Sequence, residues 1–510
     1  MNDFIISLLL LGAMSSSDGY LPYWMTTNQY GLMPERNGGM ALVAAQTGFD
    51  ESKTWQYRWG ASLGANAYTN PLDPASSPAH IMVDQLYASV RWKALTLDLG
   101  QKHRDNDFLG ASEALGSLSV TGGHLVESGN ARSMPGYLGT LDPVPVPFTG
   151  KHLWIYGAYG DYATTDKRYV QGALVHRTRA MFRIDATQRL SFHLGLDHYG
   201  MWAGTHPEML SYKINLRNYI RLVTGSHAGS DGTMSDRINV IGDQGGGEMI
   251  KAEYKADAWT FTAQHEIPYN DGSGMGFYNF PDGVNTLCFS WKDKDRWVSD
   301  ILYEHQYTMY QSGTVNGEAF DEDGNSITPP GVSTVGGDSY FWNGYYRSCW
   351  THHGHVIGDP LMLPGGVHEG TWTSAQISHG IENNRLKSHH VGLGGKLFRR
   401  HPYKLMLTYT DNYGTYRTPY TGESQWNHEW GTVKETGLRQ FSGAFIGIID
   451  LRRAGGGAGF GSGRGGRGDG LGSARRGGGL GISYGLYFDK GTLYQDSFGI
   501  TAGLKYTIGR

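Results

Sequence analysis

The chain has 510 residues and a formal net charge of −4, and 13% of it is aromatic, with 32 Tyr, 14 Trp and 76 Gly. So many aromatics exclude a disordered chain, and an acidic balance excludes a nucleic-acid binder, which needs a basic footprint. Cys288 and Cys349 stand without CxxC or Cys/His zinc spacing and read as small buried hydrophobes.

Residues 1–17 open with an apolar run from Phe4 to Met14 followed by serines. That is the length of a signal-peptide core and too short for a membrane-spanning helix of about 20 residues. The expected organisation is a signal-like segment at 1–17 and one mature domain at 18–510. Tyr20 to Pro34, "YLPYWMTTNQYGLMP", then marks the threshold of that domain, with Tyr23 and Trp24 expected as an interfacial anchor.

From Trp55 onward, segments of roughly ten residues alternate with a period of two and break at turns. Trp55, Tyr57, Trp59, Ala61, Leu63 and Ala65 fall on one face, with Gln56, Arg58, Ser62 and Asn66 on the other. Ala180, Phe182 and Ile184 oppose Arg179, Arg183 and Asp185 in a hairpin that returns through Leu190, Phe192, Leu194 and Leu196. Ile250, Ala252 and Tyr254 oppose Lys251, Glu253 and Lys255, and Trp259, Phe261 and Ala263 oppose Thr260, Thr262 and Gln264. A closing strand carries Phe498, Ile500, Ala502, Leu504, Tyr506 and Ile508 on one face.

Paired charges on one face and aromatics at strand ends favour an outer-membrane barrel over a soluble sandwich. Trp55, Trp59, Trp92, Trp154, Trp259, Trp291 and Trp297 are the expected girdle residues. Tight turns at Lys93–Ala94 and Lys292–Arg296 alternate with long polar loops, expected at Gly100–Thr149 and Gly313–Gly337. The Gly/Arg-rich tract at 454–479 has almost nothing to bury and reads as a loop within the barrel. The predicted fold is all-β, a single large antiparallel transmembrane barrel.

The most chemically suggestive patch is "YFWNGYYRSCWTHHGHVIGDP", Tyr340 to Pro360. His352, His353 and His355 are of the type that ligates metals. In an extended strand only His353 and His355 share a face, and no carboxylate pattern completes a site. Sugars instead offer flat C–H faces for aromatic rings and hydroxyls for polar partners. Trp342, Tyr345, Tyr346 and Trp350 beside Asn343 and Arg347 supply both, against the alternative that they are girdle residues. No GxSxG, P-loop or HExxH motif is present, so neither catalysis nor a cofactor is expected.

In order along the chain, "YWMTTNQYG", "QLYASVRWKALTLDLGQKHRD", "SGNARSMPGY", "GLDHYGMWAG", "GDQGG", "YNDGSGMGFYNFPDG", "YTMYQSG", "GGDSYFWNGYYRSCWTHHGHVIGDPL" and "ENNRLKSHHVGLGG" resemble the capsule assembly Wzi family in its Bacteroidetes-like form. The resemblance covers nearly the whole mature chain. It implies a non-enzymatic outer-membrane barrel of about 18 strands that acts as a lectin and holds capsular or extracellular polysaccharide at the cell surface. Outer-membrane lipid and the capsule export machinery are the other implied partners; nucleic acid is not one. The alternative is a porin or transporter with an open lumen. Enteric members carry an N-terminal helical bundle that plugs the periplasmic end, and no helical segment precedes the first strand here. The glycan-contacting residues expected from the polar-aromatic motifs are Asn130, Arg132, Asp271, Trp342, Asn343, Tyr345, Tyr346, Arg347, Trp350 and His353.

Overall fold

Period-two alternation becomes a closed wall in the computed structural model, which describes residues 4–17, 20–34, 36–69, 77–104, 111–112, 115–230, 232–233, 236–237, 239–270, 272, 276–313, 338–365, 380–422, 435–451 and 479–509. Eighteen antiparallel strands form one sheet. They are β1 (Phe4–Ser15), β2 (Gly38–Thr47), β3 (Trp55–Tyr68), β4 (Ala79–Trp92), β5 (Leu95–Gln101), β6 (Pro135–Pro145), β7 (Leu153–Ala163), β8 (Leu174–Asp185) and β9 (Leu190–Trp202). The second half contains β10 (Asp243–Lys255), β11 (Trp259–Asn270), β12 (Gly283–Trp291), β13 (Asp300–Tyr307), β14 (Leu386–Leu397), β15 (His401–Asn412), β16 (Leu438–Asp450), β17 (Gly479–Gly491) and β18 (Ser497–Gly509). Each strand pairs with its neighbours in sequence, and β1 pairs with β18 from Ile5–Gly509 to Ser15–Gly499. A sheet closed this way leaves no ladder edge toward lipid.

The faces fall as the alternation predicts. In β3, Trp55, Tyr57, Trp59 and Leu63 are exposed on the outer wall while Ser62, Asn66 and Tyr68 are buried inside. In β11, Phe261 faces out and Thr262, Gln264 and Glu266 face in. Seven of the eight connections at the end where β1 begins are short, at 48–54, 93–94, 146–152, 186–189, 256–258, 292–299 and 398–400, the exception being 451–478, which holds the Gly/Arg-rich tract, and most at the other end are long. This is the asymmetry of outer-membrane barrels, whose short turns are periplasmic. Lys93 takes a left-handed φ of 54° to make the two-residue turn between β4 and β5. The expected girdle tryptophans gather at this short-turn end, with Trp55 and Trp92 stacked at 5.9 Å and Trp259 stacked on Phe289 at 5.3 Å.

Three expectations are corrected. Residues expected as a signal-like segment form β1, a strand of the wall. β1 looks like a signal core because both faces are apolar: Ile6, Leu10 and Met14 face outward, and Leu9, Leu11 and Ala13 pack on the apolar core inside. The expected loop at Gly100–Thr149 hides β6, whose prolines and a register shift between Leu141 and Val144 mask its alternation. Finally, Tyr23 and Trp24 are not an interfacial anchor. They lie in the short helix α1 (Tyr23–Thr26), buried inside the barrel. The expected Gly313–Gly337 loop and 454–479 tract lie almost wholly outside the described residues.

Candidate functional site

Among the described residues, the lumen is filled by the chain's own loops, threaded in from the long-loop end. α1 is pinned to the wall where the Tyr23 amide donates to Asp489 Oδ2 at 2.8 Å and Trp24 Nε1 donates to Thr408 Oγ1 at 3.1 Å. Residues 115–134 cross the lumen on inward polar groups of β9, β11, β13 and β14. The Leu125 amide donates to Glu266 Oε2 at 3.0 Å, His124 Nδ1 meets Glu266 Oε1 at 3.1 Å, Ser119 and Thr121 donate to the Glu304 carboxylate, and His390 Nε2 donates to the Leu118 carbonyl at 2.7 Å. Arg177 bridges Glu127 at 3.0 Å and Asp197 at 3.5 Å, and Arg179 also binds Asp197. Buried charges this dense persist only when paired and hydrogen-bonded. They are the reason the inward faces of β8, β9, β11, β13 and β14 carry polar groups where the loops pack on them.

Over this floor, residues 338–365 form a cap. Trp350 Nε1 donates to the Val126 carbonyl at 2.7 Å, and Gln306 Nε2 donates to Asp359 Oδ2 at 2.6 Å. Arg168, 2% exposed, gives its guanidinium to the Thr351 and Cys349 carbonyls, each at 3.1 Å. Two small pockets within this packing, one beside Trp350 and Tyr269, the other beside Arg132 and Glu127, hold about 20 Å³ each, about one water apiece. Burial pushes the Asp359 carboxyl up to about 6 and that of Asp282 up to about 7. Cys288 and Cys349 are buried and not joined by a disulfide.

The structure brings most of the expected glycan-contacting residues into this cap and splits them by burial. Asn130 is part of the packing and donates to the Val356 carbonyl at 3.2 Å. Tyr346 and Trp350 are 1% and 3% exposed, and Tyr346 donates to the Ala203 carbonyl at 3.1 Å. Tyr345, also buried, donates to the Leu210 carbonyl at 2.9 Å, and Asn343 turns the backbone by accepting from the amides of Tyr345 and Tyr346. Those rings were legible as important, yet their contacts are structural. Asp271 lies outside the described residues.

What faces out is a set of paired groups. Trp342, half-buried, lies under the Arg417 guanidinium at 4.5 Å, and the exposed Arg347 sits 4.7 Å above the Tyr169 ring and 3.5 Å from Glu208. Beside them Arg132 Nη1 meets His353 Nδ1 at 3.4 Å, and the His353 amide donates to Asp166 Oδ2 at 3.0 Å. Sequence reading missed Tyr169, Glu208 and Arg417, because each comes from a different loop and no local motif joins it to Trp342 or Arg347.

No group of three or more metal-ligating side chains occurs among the described residues, and the histidines of the cap are engaged by protein groups. They sit in a tight hairpin, not an extended strand, with His352 paired opposite His355. His352 Nδ1 donates to the Arg132 carbonyl at 2.7 Å, and Nε2 accepts from the Thr165 amide at 3.1 Å. Burial, helped by Arg168 and Arg132, holds His352 down at about 3, and burial, helped by Arg132, holds His355 down at about 4.

An edgeless wall, short turns at one end and a polar interior define an outer-membrane-type β-barrel. No protein-family model and no curated sequence matches the chain. Among solved structures it is similar to Wzi, an outer-membrane protein involved in group 1 capsule assembly in Escherichia coli and a carbohydrate-binding β-barrel, with a TM-score of 0.51 and 11% identity over 98% of this chain and 83% of that one. It also aligns with Pseudomonas aeruginosa OccK1 (OpdK), TM-score 0.45 and 10% identity over 100% of this chain and 99% of that one, and with OccK9 (OpdG), TM-score 0.44 and 9% identity over 100% and 98%. At such identities the likeness is one of fold.

Proposed function

We propose that the chain binds surface polysaccharide at the Gram-negative outer membrane, with the cap over its lumen as the binding face, and that it aids capsule assembly or attachment together with the capsule export machinery. The observation that carries this reading is a lumen filled by loops whose outward groups are aromatic–guanidinium pairs, Trp342 with Arg417 and Tyr169 with Arg347. A ring face for sugar C–H groups beside a planar donor for hydroxyls or uronate carboxylates is what a carbohydrate site needs. The similarity in fold to carbohydrate-binding Wzi adds support. The filled lumen disfavours the porin alternative, which needs a continuous aqueous path.

The test is retention of capsular polysaccharide by the purified full-length protein, alongside a variant with Trp342→Ala and Arg347→Ala. Binding by the wild type and its loss in the variant are expected. Failure of the wild type to retain any surface polysaccharide, with steady ohmic conductance in a planar bilayer, overturns the reading in favour of a pore.

A further inference from the structure

On β8 and β9 the even-numbered residues face outward, as the exposure of Phe182, Ile184, Phe192, Leu194 and Leu196 shows. The same parity carries His176, His198 and Trp202 to the outer wall, and there the side chains are polar or part polar. Yet His176 is 0% exposed and His198 5%. What covers them is part of the long 203–242 connection, folded back over the outside of the barrel. Its helix α2 (Leu216–Val223) starts at Asn215, whose side chain accepts from the Asn218 amide at 2.9 Å. Leu222 lies on Gly200, where an added Cβ would come within 2.7 Å of Leu222 Cδ1. Tyr219 packs edge-on to His176 at 5.6 Å, lies 5.6 Å from Trp202, and donates to Asp161 Oδ2 at 2.7 Å. The Asp161 Oδ1 to His176 Nδ1 contact at 3.0 Å and the His176 Nε2 to Thr178 Oγ1 contact at 2.6 Å complete a seam that lipid alone could not satisfy.

With one side of α2 docked on the wall, another side presents Leu216, 73% exposed, and Ile220, 53% exposed, preceded by exposed Met209, Leu210 and Ile214. At 100° per residue Leu216 and Ile220 share a face, and Arg217 is turned well away from it. Lys213 and Arg217 are exposed beside that apolar face. Five large apolar side chains exposed over so short a stretch are unusual on a surface facing water. Here it adjoins the lipid-facing belt of β8 and β9 at the long-loop end. We infer that α2 and the residues leading into it lie in the plane of the outer leaflet, apolar side chains in the acyl boundary and Lys213 and Arg217 on phosphate-bearing headgroups, as interfacial helices do.

The test uses the full-length protein in nanodiscs, with a fluorophore on Ile220→Cys or, as a control, on Glu208→Cys. Expected is quenching at position 220 by phosphatidylcholine spin-labelled high on the acyl chain, with protection from aqueous iodide, and the reverse at position 208. Native mass spectrometry should show loss of retained phosphatidylglycerol in a Lys213→Gln, Arg217→Gln variant that keeps its heat-resistant barrel. Iodide quenching at position 220 overturns the inference. So does protection from both quenchers, which would indicate a protein partner or a second copy on this face, and so does unchanged phosphatidylglycerol retention.

Discussion

The two ends of the barrel are built from the same alternating strands and solve different problems. At the short-turn end the outer wall finishes in Trp55 stacked on Trp92, Trp259 stacked on Phe289 and Trp291 edge-on to Phe289, and the strands are joined by turns as short as Lys93–Ala94. At the long-loop end the outer wall carries a row in direct register, His265, Asn285, His305, His389 and Tyr409, while the inner wall holds the loops by buried charges. One end meets an interface with side chains that need only a wet edge and a greasy face. The other is shaped by protein folded back on it, inside and out. The contrast teaches that polar residues in this barrel mark where chain covers wall, as well as where water does.

Breaking the lumen network is therefore expected to cost most. Asp197→Ala leaves Arg177 and Arg179 buried with their shared partner gone, a loss of about 3–5 kcal/mol, read as a lower urea midpoint and loss of heat-resistant mobility in detergent. A loss below about 1 kcal/mol would mean the loops are held by other contacts. Trp259→Ala at the short-turn rim removes contacts with Tyr254 and Phe289 and is expected to cost about 1–2 kcal/mol by the same measurement. An equal or larger cost there would invert the comparison.

The wall was legible because lipid and lumen impose a strict period of two on β3, β9, β10, β11 and β18. It failed where a second constraint overrode the period: at β1, whose inner face meets an apolar core, and at β6, where prolines interrupt. The cap was legible only as a motif. Trp350 and Tyr346 stood out as aromatics, but whether a ring faces glycan or packs against Val126 depends on which distant loop lies above it. Tyr169 and Arg417 carried no local signal at all.

Acid should act on the long-loop end. His355 is held at about 4 by burial and by Arg132, below the unfolded value near 6.5. Its neutral form therefore stabilises the fold fully above about pH 6.5, and that contribution is lost as pH falls toward 4. Asp282 and Asp359, raised to about 7 and about 6, run the other way, stabilising below pH 4 and losing that contribution as pH rises through their folded values. The clean reading is a difference. Between pH 7 and pH 5, the protection factors for hydrogen exchange in residues 338–365, taken against the intrinsic rate at each pH, should fall more in the wild type than in His355→Phe, by an amount equivalent to about 1–2 kcal/mol. Parallel behaviour of the two proteins would remove His355 from the account.

The smallest effect belongs to the short-turn end. Lys93 sits at φ 54° in a two-residue turn, where a non-glycine residue is strained and glycine is not. Lys93→Gly relieves that strain, worth about 1 kcal/mol, but adds unfolded-chain entropy of roughly half that. It also removes the ammonium 4.6 Å from the Trp92 ring, worth about 0.5 kcal/mol at an exposed site. The three terms nearly cancel, so the variant should unfold within about 0.5 kcal/mol of the wild type. A loss beyond about 1 kcal/mol would show that the Trp92 ring depends on its lysine, and that the rim is a charge-assisted structure where stacking and turn geometry alone were taken to hold it.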